Sequence, residues 1–343
     1  MLTLKGAFST NPRSAPLVHG AVQVKGVDIH WETTFKNPGE LFAAQLRDNA
    51  FDVFEFSISD YVNVHSRHFA RWQWTAIPIF LSRALLQLNT WVNVKSGITG
   101  AGDMKRKRLA VGDYTQTAFV WFRAMIDRLY GIQSRDIAWY NGRIGNESHS
   151  VLLGLKDNPP PGVSVTFLTR EDEANEMLQS GELDAANATN IPIDTKSPNV
   201  RPLFPDGGRG FMEEFYRTVG FTPVNHLVGI QQRVVEENPW LPEALFDAFE
   251  RSKQEAYRRD PAARLILRKE AGLEPGESVF GPDPYVSGLS KNRAMLSLTV
   301  EQLLKDGLIR DQVAVDELFW ESVRGSGAKG ELGSRDANDD CKD

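Results

Sequence analysis

The sequence predicts an α/β protein of two similar lobes, each built on a mostly parallel sheet with helices on its faces. Short apolar segments typical of strands alternate with longer segments of helical periodicity along most of the 343 residues. Such alternation produces parallel sheets joined by crossover helices. The pattern restarts near Leu109, and a chain of this length is sufficient for two domains.

The first half of the chain contains one clear helix between predicted strands. The segment 37–49 is predicted to be helical because its apolar residues fall largely on one side and Asn37 can cap its start before Pro38. Apolar segments that predict extended structure surround this helix at 2–8, 27–34, 51–56 and 76–94.

The second half repeats the alternation. Strands are predicted at 107–114, 136–141, 163–168 and 183–188, and helices at 115–131, 170–182, 241–259 and 293–307. The segment 226–238 combines a strand pattern with a helix pattern. Loops rich in proline and glycine at 156–164 and 204–210 separate these elements.

The composition is that of an ordinary soluble globular protein, with 41% apolar and 24% charged residues. The formal net charge is −6, so no basic field indicates a nucleic-acid partner. The single cysteine, Cys341, permits neither an internal disulfide nor a thiolate zinc site. Such cysteine usage is typical of a reducing compartment.

The two ends of the chain give expectations about location. Residues 1–20 lack the apolar core of a secretory signal. The apolar run at 76–81 is much shorter than a membrane-spanning helix. We therefore expect a cytoplasmic protein without a membrane partner. The Gly-, Asp- and Lys-rich residues 324–343 predict a disordered tail.

Small hydroxyl side chains follow the predicted strand at 51–56. The stretch that begins at Phe51 reads FDVFEFSISDY, so Ser57 and Ser59 come where the strand ends. In open α/β sheets, ligands bind beyond the carboxyl ends of the strands. We therefore expect the hydroxyl groups of these two serines to line a ligand cleft.

Two further strand ends carry side chains suited to an anion. The helix predicted after residue 114 presents free N–H groups at its start, and Gln116 and Thr117 add side-chain donors. An ordinary helix cap is the alternative. Ser82 and Arg83 follow another apolar strand, where an arginine could hold a carboxylate through two hydrogen bonds. The alternative there is a surface arginine.

Histidines offer a candidate acid or base and a weaker candidate for metal binding. His226 directly precedes an apolar strand, and imidazole titrates near neutral pH, so a general acid or base and a structural histidine are both open. His65 and His68 are spaced for a helix, but two histidines in an exposed loop are favoured over a metal site. The sequence has no GxSxG, Walker A, GxGxxG or HExxH motif.

Seven segments in order resemble the 4,5-dihydroxyphthalate decarboxylase family, between about Leu4 and Phe319. Its members are similar in fold to type II periplasmic binding proteins, so the resemblance implies a ligand cleft between two lobes. It also implies a first lobe of residues 1–90 and 191–323 and a second lobe of residues 91–190. The segments are HGAVQVKGVDIHW, ELFAAQLRDNAFDVFEFSISDY, AIPIFLSR, LAVGDYTQTAFVWFRAMI, VGFTPVNHLV, ENPWLPEALFDAFERSK and YVSGLSKNRAML.

The resemblance also implies the residues of a site. The positions that match the family pattern are Glu55, Ser57, Ser59, Ser82, Arg83, Tyr114, Thr117, Ala118, His226, Gly288, Leu289, Asn292 and Arg293. The implied catalytic residues are His226, Arg83 and Glu55. The implied substrate-binding residues are Ser57, Ser59, Ser82, Tyr114, Gln116, Thr117, Arg123, Asn187 and Asn292. No cofactor is implied, a divalent metal is left open, and so is a homo-oligomer.

The sequence departs from the family pattern in one place. Where the family commonly reads Ser-Arg-x-Phe-Arg-His, this chain reads SRALLQL, so Leu86 and Gln87 replace an arginine and a histidine. A phthalate has a second carboxylate that would need a cation. The departure therefore makes the substrate uncertain and a metal site at that histidine less expected.

The resemblance implies a carboxy-lyase of aromatic compound catabolism that acts on a hydroxylated aromatic carboxylic acid. A proton delivered by His226 to the ring carbon would precede the loss of CO₂, while Arg83 and Thr117 bind the carboxylate and Ser57 and Ser59 bind a phenol or a second oxygen. One alternative is a solute-binding protein that holds a small carboxylate without chemistry. Another is an enzyme of the same fold with different chemistry on a ring acid.

Overall fold

The structure, a computed structural model, describes residues 1–9, 11–264, 280 and 283–326. It is an α/β protein with two mixed sheets, one in each lobe, which confirms the predicted fold class. The tail predicted from residue 324 lies outside the described residues from 327 onward, and Cys341 lies there too.

The first lobe contains a five-stranded sheet. Its strands are β1 (Leu2–Ala7), β2 (Val27–Glu32), β3 (Val53–Ser57), β4 (Trp74–Ser82) and β11 (His226–Gln231). They lie in the order β2-β1-β3-β11-β4, and only β11 runs antiparallel to its neighbours. The carboxyl ends of the four parallel strands therefore share one edge with the start of β11, where His226 lies opposite Ser57 and Ser82.

The second lobe contains a six-stranded sheet. Its strands are β5 (Thr90–Asn93), β6 (Arg108–Val111), β7 (Ala138–Asn141), β8 (Ser164–Phe167), β9 (Ala185–Asn187) and β10 (Val200–Pro202). They lie in the order β10-β5-β9-β6-β7-β8, with β5 antiparallel to both of its neighbours. This sheet extends beyond the boundary predicted at residue 190, because β10 pairs with β5.

Helices connect the strands and cover both sheets. They are α1 (Ala15–Val18), α2 (Pro38–Asp48), α3 (Ile58–Ser66), α4 (Thr117–Tyr130), α5 (His149–Leu152), α6 (Glu173–Ser180), α7 (Arg209–Val219), α8 (Gln232–Glu237), α9 (Leu241–Arg259) and α10 (Leu289–Lys305). The cap predicted for α2 is confirmed, because the Asn37 side chain accepts a hydrogen bond from the Glu40 N–H. Among the described helices, none combines the length and the apolar character needed to span a bilayer.

The extended segment predicted at 76–94 is two strands in different lobes. β4 ends at Ser82, a 3₁₀ turn follows at Leu86–Leu88, and β5 begins at Thr90 in the second sheet. Apolar periodicity extends through this crossover, so the pattern alone does not reveal where the chain leaves one sheet for the other.

One hydrophobic cluster is shared by both lobes. Phe54 and Phe56 of β3 belong to the same cluster as Trp121 and Phe122 of α4, and all four are fully buried. Removal of apolar area from water stabilises such packing by about 25 cal/mol per Å². The packing between the lobes therefore holds the facing edges of the two sheets in a fixed relation.

A buried ion pair anchors α10 to α4. The Arg123 guanidinium lies 2.6 Å from Asp306, and neither side chain is exposed. Arg123 also packs on the rings of Tyr114 and Trp139, at 4.1 and 5.1 Å from the ring centroids. Burial raises the pKa of Asp306, and the neighbouring Arg123 offsets only part of that effect.

A second buried contact joins the lobes through His149. The imidazole of His149 comes from the second lobe, and both of its partners come from the first: the Asp60 carboxylate lies 2.9 Å from Nδ1, and the Gly39 carbonyl oxygen lies 3.0 Å from Nε2. A carboxylate and a carbonyl oxygen only accept hydrogen bonds. Both contacts therefore form only when both ring nitrogens carry protons.

The charges around His149 favour that protonated form. Burial lowers the pKa of His149, but the hydrogen bond and negative charge of Asp60, together with Asp113, outweigh it and raise the pKa overall. The Arg143 guanidinium opposes them and also pairs with Asp113 at 3.1 Å. Burial would raise the pKa of Asp113, yet the positive charges of His149 and Arg143 lower it.

We expect the contribution of His149 to stability to be lost on the alkaline side. Because its pKa is raised on folding, the stabilisation is complete below the unfolded value of about 6.5 and disappears as pH rises through the folded value. Thermal unfolding of the wild type and of His149→Gln should therefore differ by about 1–3 kcal/mol near pH 6 and by less at pH 9. A difference that stays constant over this pH range would contradict the protonated contact.

Candidate active site

A cavity of about 990 Å³ lies between the lobes at the carboxyl edge of the first sheet. We call it the cleft. The first lobe contributes the loop after β1, the start of α2 and the segment that follows β4, up to Asn89, and the second lobe contributes Thr189. This is the position where open α/β sheets bind ligands.

Arg83 is a buried cation on the wall of the cleft. Its residue is 4% exposed, and its guanidinium donates to the carbonyl oxygen and hydroxyl of Thr222 and, at 3.1 Å, to the amide oxygen of Asn292. Within the described residues, Nε has no hydrogen-bond partner and no carboxylate pairs with the group. Burial lowers the pKa of Arg83 to about 10, so it stays charged at neutral pH.

A second guanidinium lies along the same wall. Arg13 lines the cleft, donates to the carbonyl oxygens of Leu81 at 3.0 Å and Ala263 at 2.8 Å, and stacks on the ring of Tyr285 at 3.7 Å. The cleft is therefore lined by two arginines, and Lys36 also lines it. Of the two positions that depart from the family pattern, Leu86 lines the cleft, whereas the amide of Gln87 faces the sulfur atoms of Met125 and Met212.

Glu55 and His226 form a pair beside the cleft. Glu55 lies in β3 and is buried, and its carboxylate is 2.7 Å from Nδ1 of His226 and 2.8 Å from the N–H of Ser9, whose hydroxyl also donates to it. Ser9 and Ser82, the neighbour of His226 on β4, both line the cleft. Neither member of the pair lines the cleft itself, but Glu55 contacts Ser9 and His226 pairs with Ser82, and both of these serines do.

The geometry assigns different roles to the two nitrogens of His226. The carboxylate of Glu55 accepts from Nδ1–H, which fixes the proton on that nitrogen. Phe42 packs edge-on against the ring at 4.8 Å, and the side chain is 13% exposed. No described residue hydrogen-bonds to Nε2, so this nitrogen is left to take or give a proton.

Ser57, Ser59 and Thr117 are brought together, but at the junction of the lobes. Thr117 lies 2.9 Å from both serine hydroxyls, and Ser59 also donates to the carbonyl oxygen of Thr115. All these side chains are buried, and none of these residues lines the cleft. That they bind substrate stays a prediction; in this structure each hydroxyl has a hydrogen-bond partner in the facing lobe. Asp60, at the end of the same stretch, is the partner of His149.

Three other predicted substrate ligands are engaged with protein groups. Arg123 is neutralised by Asp306, and the buried Tyr114 hydroxyl donates to the Asp306 carbonyl oxygen at 3.2 Å. The Asn187 amide donates to the Leu86 carbonyl oxygen at 2.9 Å and so holds the crossover between the sheets. Their direct contact with substrate stays a prediction, and each of the three already makes hydrogen bonds to protein groups.

The remaining predicted residues have mixed positions. Ser82 lines the cleft, and Asn292 acts behind it by holding Arg83. Gln116 lies at the start of α4 with its amide oxygen buried and, within the described chain, without a partner.

His65 lies in α3 rather than in the expected loop, 6.2 Å from the ring of His68. The described residues contain no group of three or more His, Cys, Asp or Glu arranged for a metal ion.

Sequence reasoning missed the cleft residues in the loop after β1. Ser9, Asn11 and Arg13 all line the cleft. This loop has no periodic pattern, but it follows a strand of the parallel sheet. The strand-end rule that led to Ser57 and Arg83 would have led to these residues as well.

Comparison with known proteins places the chain in a family. No family model matches the sequence. The chain is 30% identical over 324 residues to the 4,5-dihydroxyphthalate decarboxylase of Comamonas testosteroni, covering 93% of this chain and 96% of that protein. It is 30% identical over 223 residues to the protein of the same name from Pseudomonas putida, covering 64% of this chain and 84% of that protein.

Solved structures show the same fold at low sequence identity. The aliphatic sulphonate binding protein SsuA of Escherichia coli matches with a TM-score of 0.51 and 14% identity over 93% of this chain and 92% of that one. The desulfurization enzyme DSZB matches with a TM-score of 0.51 and 15% identity over 96% of this chain and 99% of that one. The fold is therefore that of type II periplasmic binding proteins, and the chain belongs to the 4,5-dihydroxyphthalate decarboxylase family.

Proposed function

We propose that this protein is a carboxy-lyase that removes CO₂ from a hydroxylated aromatic carboxylic acid. The observation that carries the proposal is Arg83, a buried guanidinium on the cleft wall without a carboxylate partner among the described residues. Burial of a charge is costly unless an opposite charge compensates it. A substrate carboxylate would supply that charge, and the family membership supports the reaction class.

Arg123 shows what a structural arginine looks like in this protein. It is as buried as Arg83, but it is 2.6 Å from the carboxylate of Asp306. The groups that hydrogen-bond to Arg83 are instead neutral, namely Thr222 and Asn292. They orient the guanidinium and leave its charge available to a ligand.

His226 is the proposed proton donor. With Glu55 bound to Nδ1–H, a proton on Nε2 can be delivered to the ring carbon that bears the carboxylate, and Glu55 stabilises the charged imidazole before the transfer. Electrons from a ring hydroxyl assist this step, giving a cyclohexadienone-like intermediate. The bond to the carboxyl group then breaks, CO₂ leaves, and the electron pair restores the aromatic ring.

Several effects together lower the activation barrier, and each of them needs to contribute only part of the rate enhancement. General acid catalysis contributes about 10²–10⁴-fold. Arg83 also orients the substrate carboxylate, and the two lobes exclude water from it. Both effects lower the activation barrier further. A non-catalytic binding protein would use the Arg83 contact in the same way, but it would have no use for the buried Glu55–His226 pair.

The direct test is a turnover assay with the purified protein, with and without a chelator. The acids are mono- and dihydroxybenzoates and also hydroxyphthalates, because Arg13 is a second cation on the cleft. A product lighter by one CO₂ is the expected result. An acid that raises the melting temperature and stays unchanged would instead indicate a binding protein, and any other product would indicate different ring-acid chemistry.

Arg83→Met is expected to lose activity and to lose less stability than Arg123→Met, because it orphans neutral acceptors rather than a buried carboxylate. Removing a charge-assisted hydrogen bond to the carboxylate should lower kcat/KM by about 10- to 150-fold. The matched variant Arg123→Met leaves Asp306 buried without its partner, so it should lose about 3–5 kcal/mol of unfolding free energy. Activity assays and thermal unfolding of both variants check this contrast. Equal loss of stability in the two variants would show that Arg83 is structural.

His226→Asn is expected to lower kcat by about 10²–10⁴-fold with little change in KM, because it removes the proton donor and leaves Arg83 in place. In D₂O the wild-type product should carry deuterium at the carbon that lost CO₂. His65→Asn, which changes a half-buried histidine of α3, is the matched control and should retain activity. Near-normal turnover by His226→Asn would exclude the proposed role.

A further inference from the structure

Asn11 presents a fixed hydrogen-bond donor beside the cleft. The residue lies in the loop after β1 and lines the cleft. Its amide oxygen accepts hydrogen bonds from the N–H groups of Arg13 at 3.0 Å and Ser14 at 3.1 Å. A flipped amide would set its NH₂ group against those two donors, so the orientation of the side chain is determined.

The other end of this amide has no protein partner. Nδ2 of Asn11 is buried and, within the described residues, makes no hydrogen bond. A buried donor without an acceptor costs about 1–3 kcal/mol, so such groups are rare and call for an explanation. A ligand in the cleft would supply the missing acceptor.

The unpartnered atoms of the cleft are of one chemical kind. Among the described residues, Asn11 and Arg83 are the two cleft-lining residues that have a buried polar side-chain atom without a partner, and both atoms are N–H donors. The unpartnered acceptor oxygens belong to residues that do not line the cleft: Asp60, Asn63, Gln87 and Gln116. The cleft therefore matches a ligand that offers at least two acceptor oxygens.

We infer that Asn11 is a specificity-determining residue whose Nδ2 donates to the ring hydroxyl oxygen of the substrate. The inference rests on the proposed function, in which the charged Arg83 takes the carboxylate. A neutral amide is suited to the remaining oxygen, which is uncharged in the substrate. Asn11 would thus select ring acids that carry a hydroxyl group over those that lack one.

The same contact would strengthen during the reaction. When His226 protonates the ring carbon, the hydroxyl O–H bond breaks, its proton passes to water, and the oxygen becomes a carbonyl. After the carbon–carboxyl bond breaks and CO₂ leaves, the electron pair returns to the ring and the oxygen is a phenolate, which regains a proton from water. A donor fixed on this oxygen favours the carbonyl and phenolate forms over the hydroxyl, as an oxyanion hole does.

The test compares binding of benzoate with binding of 2-, 3- and 4-hydroxybenzoate by calorimetry. Asn11→Ser removes the cleft donor, while its hydroxyl can still accept from the backbone N–H groups of the turn. If Asn11→Ser does not fold, Asn11→Thr is used in its place, because threonine has the same hydroxyl acceptor. Asn175→Ser is the matched control, because the Asn175 amide oxygen also holds a backbone N–H, that of Asp194 at 2.9 Å, and the residue does not line the cleft.

The wild type is expected to bind at least one hydroxybenzoate more tightly than benzoate. In the Asn11 variant this preference should shrink by about two- to twelve-fold, with benzoate affinity unchanged. With a turned-over acid, kcat should fall by about 10²–10³-fold. The Asn175 variant should match the wild type in its preference for hydroxybenzoates, its affinity for benzoate and its kcat.

Other outcomes separate this inference from the proposed function. Equal weakening of benzoate and the hydroxybenzoates, or no change in either, would overturn the role of Asn11 while leaving decarboxylation intact. Loss of the hydroxyl preference without any CO₂ release from the wild type would support the Asn11 contact and overturn the decarboxylase. Failure of the wild type to bind any of these acids would overturn both.

Discussion

The site depends on one constraint, the buried charge of Arg83. In the described structure this guanidinium is withdrawn from water and no carboxylate pairs with it. Arg83 is held by neutral oxygens of Thr222 and Asn292, which come from distant parts of the chain and meet at the end of β4. Burying this charge without a counter-ion costs free energy, and an anion in the neighbouring cavity would offset that cost. Arg123, equally buried and paired with Asp306, shows that the same fold neutralises an arginine where no ligand is needed.

The junction between the lobes is linked to the proposed acid through one aromatic ring. Phe42 of α2 packs against His226 at 4.8 Å and against His149 at 5.9 Å. His149 in turn joins the second lobe to Asp60 and to the backbone of α2. The position of α2, which forms part of the cleft wall, is therefore set by both histidines.

Much of the fold was predictable, and part of the site was. Local periodicity revealed most strands and helices, and the strand-end rule led to Arg83, which lines the cleft, and to His226 beside it, because both signals depend on short stretches of chain. The same rule led to Ser57, which contacts the other lobe, since a strand end that faces the other lobe has the same local pattern as one that faces a ligand. The Arg123–Asp306 pair joins residues 183 positions apart, and no local pattern connects them. Asn11 was missed because an irregular loop gives no periodic signal.

The chain crosses between the two sheets twice, from β4 to β5 and from β10 to β11, and these crossovers separate two groups of residues at the cleft. The proposed proton donor, its carboxylate partner and both cleft arginines come from segments attached to the first sheet. The segment between Thr90 and Pro202 contributes the wall residue Thr189, and Asn89 and Phe204 of the wall flank this segment. Exchange of the segment between Thr90 and Pro202 with that of a relative would consequently reshape the enclosure and retain the reacting groups.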